Sequence, residues 1–199
     1  DLIRNSSLRA NKQRVQYEKK AKNYDEYLSS LDMKAKIIIS KGDNLERISQ
    51  LINKTNQFNL TAIRYTSSEV ENFMQSKNKL VIYGSLEDKF GNNGIVSVMV
   101  CTVTSEIKID NWVMSCRVFK RHMEYAMMDK LIEISKEINI HRLKGVYIPT
   151  QKNQFVKNLY EDLGFKLIAQ PSQTSETFIH ELDLKDYKML NKTIEVVNE

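Results

Sequence analysis

Two side chains of this sequence, Tyr160 and Cys116, have the chemistry for proton transfer or covalent catalysis. Tyr160 lies in the run Asn153-Gln154-Phe155-Val156-Lys157-Asn158-Leu159-Tyr160-Glu161-Asp162-Leu163-Gly164-Phe165. Val156, Leu159 and Leu163 recur there at helical spacing, which predicts a short helix with one apolar face. Gly164 can take the left-handed conformation that ends a helix, and Phe165 can then pack back on it. A phenol so held can protonate a departing group, or it can pack its ring and expose only its tip. Cys116 stands before Arg117, Lys120 and Arg121, at the start of a predicted long helix. The helix N-terminus and those cations would favour a thiolate able to carry an acyl group. A lone cysteine is also often a small buried hydrophobe, and Cys101, inside a strand-like run, is expected in the core.

Other residues could hold a ligand. The run Arg117-Val118-Phe119-Lys120-Arg121-His122 leads into the long helix, and backbone N–H groups at a helix start suit an anion. Asn53, Asn56, Gln57, Asn59 and Thr61 form an amide-rich block. Its amides could orient a polar substrate by paired hydrogen bonds, or close a helix and brace a loop. Arg64 could bind a carboxylate or phosphate, or make a surface ion pair. Asn153 could reach a cofactor arm or cap its own helix. Trp112 is expected in the core or at an interface. His122, His141 and His180 are scattered and the two cysteines stand apart, so no zinc signature is present and no metal is expected.

The elements that must position these residues follow from periodicity. A charged helical stretch over 7–31 precedes a branched apolar strand over 35–39. Asp43-Asn44 offers a cap for a helix carrying Leu45, Ile48, Leu51 and Ile52, and Ser67-Ser68 starts another with Val70, Phe73 and Met74 inward. Strands are expected over 80–83, 95–103 (apolar on both faces, hence central) and 107–113, with a turn over 87–94. A helix over 121–139 should face inward through Met123, Met127, Leu131, Ile134 and Ile138. A strand over 143–148, the helix at 153 and a last strand pair near 178–184 complete an α+β pattern. Residues after Tyr187 are polar and weakly patterned.

With 41% hydrophobic residues in 199, the chain can bury a substantial core. The net charge is +5, yet residues 1–40 hold nine Lys/Arg against five Asp/Glu, so the excess sits on one arm. That distribution favours a solvated helix over a nucleic-acid footprint. No stretch is apolar enough to span a bilayer, and no secretory signal opens the sequence. Two cysteines without a disulfide framework suit a reducing, cytoplasmic compartment.

The Asn153 run, with Leu159-Tyr160 and Gly164-Phe165, resembles the last conserved helix of GCN5-related N-acetyltransferases (GNAT). That resemblance implies a mixed, mostly antiparallel sheet flanked by helices, with Tyr160 protonating a thiolate leaving group. It also implies that the loop before the long helix holds a cofactor pyrophosphate through an Arg/Gln-x-x-Gly-x-Gly/Ala pattern. Arg117 matches the first position, whereas Lys120 and His122 stand where glycines are expected and would crowd the phosphates.

Four further blocks are similar to the C-terminal half of FkbH-like proteins. They are the run from Arg47 to Thr61 with Arg64-Tyr65, Asp88-Lys89-Phe90-Gly91-Asn92-Asn93-Gly94, Met114-Ser115-Cys116-Arg117-Val118, and Pro149-Thr150-Gln151-Lys152-Asn153. In that family a haloacid-dehalogenase-type phosphatase domain precedes a GNAT-like domain, and a glyceryl group is loaded as a thioester onto an acyl carrier protein. The phosphatase nucleophile loop Asp-x-Asp-x-Thr is missing here, so no phosphatase activity is expected. Residues 1–36 would be the linker arm after such a domain, able to dock it or a second copy of this chain. Residues 37–187 would be the GNAT-like domain and 188–199 a polar tail.

The resemblance implies a coenzyme A thioester or a carrier-protein phosphopantetheine as cofactor. It assigns Arg117, Val118, Lys120, Arg121, His122 and Asn153 to that cofactor. Asn53, Asn56, Gln57, Asn59 and Arg64 go to the substrate, and Tyr160 and Cys116 should face one open cleft between splayed central strands. Three functions follow as alternatives: a carrier-protein acyltransferase, a conventional acetyl-CoA-dependent N-acetyltransferase, or a non-catalytic docking module.

Overall fold

A computed structural model of the chain describes residues 2–173 and 175–197, with side chains from Leu8 onward. Residue 1 and residues 198–199, the ends of the expected arm and tail, lie outside the described residues. The arm is two helices, α1 (Leu2–Lys20) and α2 (Tyr24–Ser29), leading into β1 (Met33–Ile39). Helices α3 (Leu45–Lys54) and α4 (Ser67–Gln75) follow, then a meander of β2 (Lys79–Asp88), β3 (Gly91–Val103) and β4 (Ile107–Met114). Helix α5 (Met123–Glu137), β5 (Arg142–Tyr147), α6 (Leu159–Asp162), β6 (Lys166–Ala169), β7 (Phe178–Asp183) and β8 (Ile194–Val196) complete the chain.

The strands form one sheet in the order β6-β7-β5-β4-β3-β2-β1-β8. Among the described residues, β4–β5 and β1–β8 pair parallel and the other neighbours antiparallel. This is the mixed, mostly antiparallel sheet expected. Two apolar layers cover it. Helices α5 and α6 pack with Ile37, Ile82, Met99 and Leu143 on one face. Helices α3 and α4 pack with Val81, Val98, Val100 and Val113 on the other. Strand β3 is buried on both faces, as its unbroken apolar run requires.

Local signals act where physics demands them, with exceptions. Helix α4 starts with a reciprocal cap in which Glu69 N–H donates to Thr66 Oγ1 and Thr66 N–H donates to the Glu69 carboxylate. The expected Asn44 cap does not form. Asn44 takes a left-handed φ of +57° and turns its amide to the Tyr83 hydroxyl at 3.1 Å. Ile138 lies past the end of α5 and is exposed, so the inward face stops at Ile134.

The polar tail is also part of the sheet. Met33, Lys34 and Ala35 pair with Ile194, Glu195 and Val196. Its anchor is Asp129, buried on α5, which accepts hydrogen bonds from Tyr187 Oη at 2.6 Å, Leu190 N at 3.0 Å and Asn191 N at 2.9 Å. Replacing Asp129 with alanine removes all three hydrogen bonds, and the freed donors are satisfied by opening to water. Amides over 187–197 should then exchange at least about tenfold faster, as read by hydrogen-exchange mass spectrometry, since about 1.4 kcal/mol of lost local protection gives that factor. Unchanged exchange would show that β8 pairing alone holds the tail.

Candidate active site

The site begins where β4 and β5 part. Their parallel pairing ends at Ile109 opposite Gly145. Next to it β4 bulges against β3, because Val100 faces Asn111 while Cys101 faces Ile109 and Asp110 is left over. Beyond this point β4 has a free edge inside the protein, where unpaired N–H and C=O groups are costly. The chain fills that gap with its own backbone. Met114 N–H donates to Phe58 O at 3.0 Å, Leu60 N–H to Trp112 O at 3.1 Å, and Ile148 N–H to Leu60 O at 2.9 Å. Thus residues 58–60 bridge both strands, and the cleft expected to be open between them is closed.

Aromatic rings seal the outer end. The Phe58 ring lies 5.7 Å from Trp112 and 6.1 Å from Phe119, and Phe119 stacks on Phe155 at 4.7 Å with a 12° tilt. Phe155 is otherwise exposed, so the stack joins the connection after β4 to the turn before α6.

The β4–α5 connection keeps a glycine-type path without glycines. Lys120 and His122 both have φ of +63°, an uncommon conformation for residues with a Cβ. Neighbours from the arm hold it. Tyr24 Oη donates to Lys120 O at 2.6 Å, and Tyr24 meets the His122 ring edge-on at 6.4 Å. Arg121 is buried and ion-paired to Asp88 at 3.1 Å, with its other nitrogen donating to Arg117 O at 2.8 Å. At the α5 N-terminus the Glu124 carboxylate lies against its own amide, and burial raises its pKa. A coenzyme A diphosphate at this helix start would meet the Lys120 and His122 side chains and an acid already in place. With the strand gap filled as well, these residues do not fit acyl-coenzyme A along this path.

Open space lies elsewhere. A cavity of about 770 Å³ opens between α3 and the segment 114–119. Arg47, Lys54, Arg117 and Lys152 line it with no acidic residue, and among the described residues none of the four has a carboxylate partner. Burial lowers the Arg47 pKa, and the Arg117 charge lowers it further, so the two guanidiniums feel each other. Cys116 lies in the same wall, exposed and with a free thiol. Asn56 and Gln57 supply amides, while Leu51, Phe58 and Met114 supply an apolar side.

The structure gathers part of the expected site here and disperses the rest. Arg117, Cys116, Asn56 and Gln57 come together. Tyr160 does not line the cavity. Its ring is 1% exposed and packs against Phe165 and His180, and its hydroxyl sits near the Val146 amide outside hydrogen-bonding geometry. Burial pushes its pKa well above the ordinary phenol value. Asn153 is fully buried and acts as a frame residue, accepting from Thr150 N at 2.7 Å and donating to Asn59 O at 2.8 Å and Ile148 O at 2.9 Å.

Asn59 ties its own loop, donating to Thr55 O at 3.2 Å and accepting from Ala62 N at 2.8 Å. Asn53 donates to Ser49 O at 2.9 Å and Tyr65 O at 2.7 Å. Arg64 closes the end of α3 by donating to Ile52 O and Thr55 O and to the Asn56 side chain. Val118 is core, and Cys101 is core as expected. Among the described residues no group of His, Cys, Asp or Glu is arranged to hold a metal, and no helix is long and apolar enough to cross a membrane.

Sequence reasoning missed Arg47, Lys54, Lys152 and Phe119 as site residues. The available signal was that Arg47 and Lys54, seven apart, fall on one helix face, although each alone reads as a solvated charge.

Comparison with known proteins gives a consistent architecture. No protein-family model and no curated protein sequence matches the chain. Solved structures do match. The ribosomal-protein-S18-alanine N-acetyltransferase of Escherichia coli superposes with a TM-score of 0.56 at 14% identity, over 75% of this chain and 94% of that one. A GNAT-family acetyltransferase from Streptococcus pneumoniae gives 0.55 at 17% identity, over 75% and 99%. The Salmonella typhimurium protein yncA, solved with its cofactor acetyl-CoA, gives 0.57 at 13% identity, over 77% and 94%. At such identities the likeness is one of architecture, and the chain has the fold of the GNAT acetyltransferases.

Proposed function

We propose that this chain is an acyltransferase of FkbH type, in which Cys116 takes a small, glyceryl-type acyl group from a thioester and passes it to an acyl carrier protein. The observation that carries this reading is the exposed Cys116 thiol in the wall of a cationic cavity free of acids. The Cys116 thiolate adds to the donor carbonyl, the new acyl–sulfur bond forms, and the donor carbon–sulfur bond breaks. The donor sulfur leaves as a thiolate and takes up the proton that Cys116 released. The carrier thiolate then repeats the exchange in reverse, so one thioester replaces another with no net redox change. Arg117, next in sequence, supplies positive charge for the thiolate and for the oxyanion that forms on the carbonyl. A reducing, cytoplasmic setting keeps the thiol free. The resemblance also implies a haloacid-dehalogenase-type phosphatase domain as a partner of this one.

The filled strand gap favours a second reading, a docking module that keeps the fold without transfer. Intact mass spectrometry separates the two. Incubation with an S-acyl pantetheine 4′-phosphate should add the mass of one acyl group, and Cys116→Ala should abolish the adduct. Absence of an adduct on the unaltered chain, or its persistence in Cys116→Ala, would favour the docking module.

A further inference from the structure

A smaller cavity, of about 120 Å³, lies where the arm, the β2–β3 connection and the Cys116 loop meet. Arg14 of α1, Phe90 and Asn93 around the start of β3, and Arg117 form its wall, which contains no acidic residue. Arg14 is buried, its side chain only 7% exposed. Its bonds to Asp88 Oδ2 at 2.8 Å, Asp88 Oδ1 at 2.9 Å and Asn11 Oδ1 at 2.8 Å take three of its five N–H groups. Arg117 gives its Nε to Ser115 Oγ at 3.2 Å and has no carboxylate partner among the described residues. Asp88 is shared between Arg14 and Arg121, so three guanidiniums against one carboxylate leave a surplus of two positive charges. Lys89 adds a further cation, its Nζ 5.3 Å from the centre of the Phe90 ring. In the same wall Asn93 has a buried Nδ2 with no hydrogen-bond partner. A buried donor left unpaired is costly and rare, so it calls for an acceptor.

We propose that this cavity is a site for a small oxyanion, inorganic phosphate or a short carboxylate, held by Arg14, Arg117 and the Asn93 amide. Surplus cations with unused N–H groups and an unpaired amide donor ask for one acceptor, and guanidinium suits either anion. The burial of Arg14 strengthens such a contact, because charge pairs out of water are screened less. Size sets the class. At about 30 Å³ for each water the space holds roughly four waters, enough for an oxyanion of four or five heavy atoms and too little for a sugar phosphate or a nucleotide. Three elements far apart in sequence would share this ligand, so it would fasten α1 and the β2–β3 connection to the loop that carries Cys116. Arg117 borders this cavity and the larger one, yet the site stands whether or not Cys116 carries an acyl group.

Calorimetric titration in a buffer without phosphate or carboxylate tests it, with inorganic phosphate, acetate and glucose 6-phosphate as probes. Phosphate or acetate should bind in the millimolar range or tighter, as two charge-assisted contacts allow, and the tighter of the two names the anion. Glucose 6-phosphate should bind at least about tenfold more weakly than that anion, because its sugar does not fit. Asn93→Asp should abolish binding, since its carboxylate takes the place of both the amide donor and the anion. Arg117→Gln should weaken binding at least about tenfold, whereas Arg47→Gln, in the larger cavity, should leave it unchanged. If Asn93→Asp does not fold, the two arginine variants decide. At ten times the Kd, hydrogen exchange over 8–16 and 115–122 should slow by up to about tenfold. No saturable binding of either small anion, equally tight binding of glucose 6-phosphate, full binding by Asn93→Asp or Arg117→Gln, loss of binding in Arg47→Gln, or unchanged exchange in both segments would overturn the site.

Discussion

Replacing Asp88 with alanine should destabilise the fold by about 3–5 kcal/mol, the cost of breaking a buried ion pair and leaving its partners uncompensated. The Asp88 side chain is 0% exposed and accepts from Arg14 Nε at 2.8 Å, Arg14 Nη2 at 2.9 Å, Arg121 Nη1 at 3.1 Å and the Phe90 amide at 2.9 Å. Both arginines are themselves nearly buried, at 7% and 8% side-chain exposure. Neither can shed its proton, because a guanidinium stays charged at any working pH. Alanine therefore leaves two buried cations facing each other. For a domain of this size the change corresponds to a fall in Tm on the order of 10 °C, checked by urea and thermal unfolding. Asp88→Asn keeps an acceptor for the Phe90 amide without the charge, so it should fall between alanine and the native chain. Arg14→Ala should cost less than Asp88→Ala, because Arg121 still compensates the carboxylate. A loss under about 1 kcal/mol for Asp88→Ala would show that water screens the triad, contrary to the burial seen.

The triad also reaches the candidate site. Arg121 is the residue after Lys120, and its second nitrogen holds the carbonyl of Arg117. Arg14 ties α1 to the same carboxylate, and Tyr24 of α2 grips Lys120. The arm, expected only to dock a partner, therefore braces the loop that carries Cys116. If Asp88→Asn folds at reduced stability, acylation of Cys116 should slow more than global unfolding explains.

How much of this was legible in the sequence differs by kind of signal. Strands β1 to β5 and helices α3 to α5 could be read because each buries one face and so repeats apolar residues at a fixed period. Strand β8 could not, since three residues in a polar tail carry no period and their pairing is decided by β1 and by Asp129. The departure of Lys120 and His122 from a glycine pattern was visible, and the positive φ at both follows from the same loop path. The closing of the strand gap by residues 58–60 was not visible, because its bonds are between backbone groups and any side chains could make them. The frame role of Asn153 was not among the options its position offered: its side chain caps no helix, and three backbone groups, two just before the turn and one far away in sequence, converge on its amide. Arg14, Asp88 and Arg121 lie 74 and 33 residues apart, and nothing local links them.

Gly145→Ala should cost about 2 kcal/mol, and the reason lies in Tyr160. A Cβ at Gly145 would sit 2.3 to 2.6 Å from three atoms of the Tyr160 ring. The ring is confined by Phe165 at 5.1 Å and His180 at 5.3 Å, and Gly145 is pinned in the sheet between Ile109 and His180. Neither side can yield, so the cost is that of overpacking, typically about 1–3 kcal/mol, reduced by the smaller unfolded-state entropy of alanine. Gly84→Ala provides the contrast. There the Cβ would meet Met123 Cε at 2.4 Å and Met127 Sδ at 2.6 Å, the ends of side chains that can turn away. That change should cost under about 1 kcal/mol. A double-mutant cycle of Gly145→Ala with Tyr160→Leu should recover at least half of the loss, and additivity of the two would refute the steric account. Tyr160→Phe removes a hydroxyl with no good partner, so stability should change by under about 0.5 kcal/mol. If Tyr160 is a packing residue, the phenylalanine variant also keeps the rate at which Cys116 is acylated. A large drop in that rate at unchanged stability would instead return the phenol to the reaction, protonating a leaving thiolate through the closed gap.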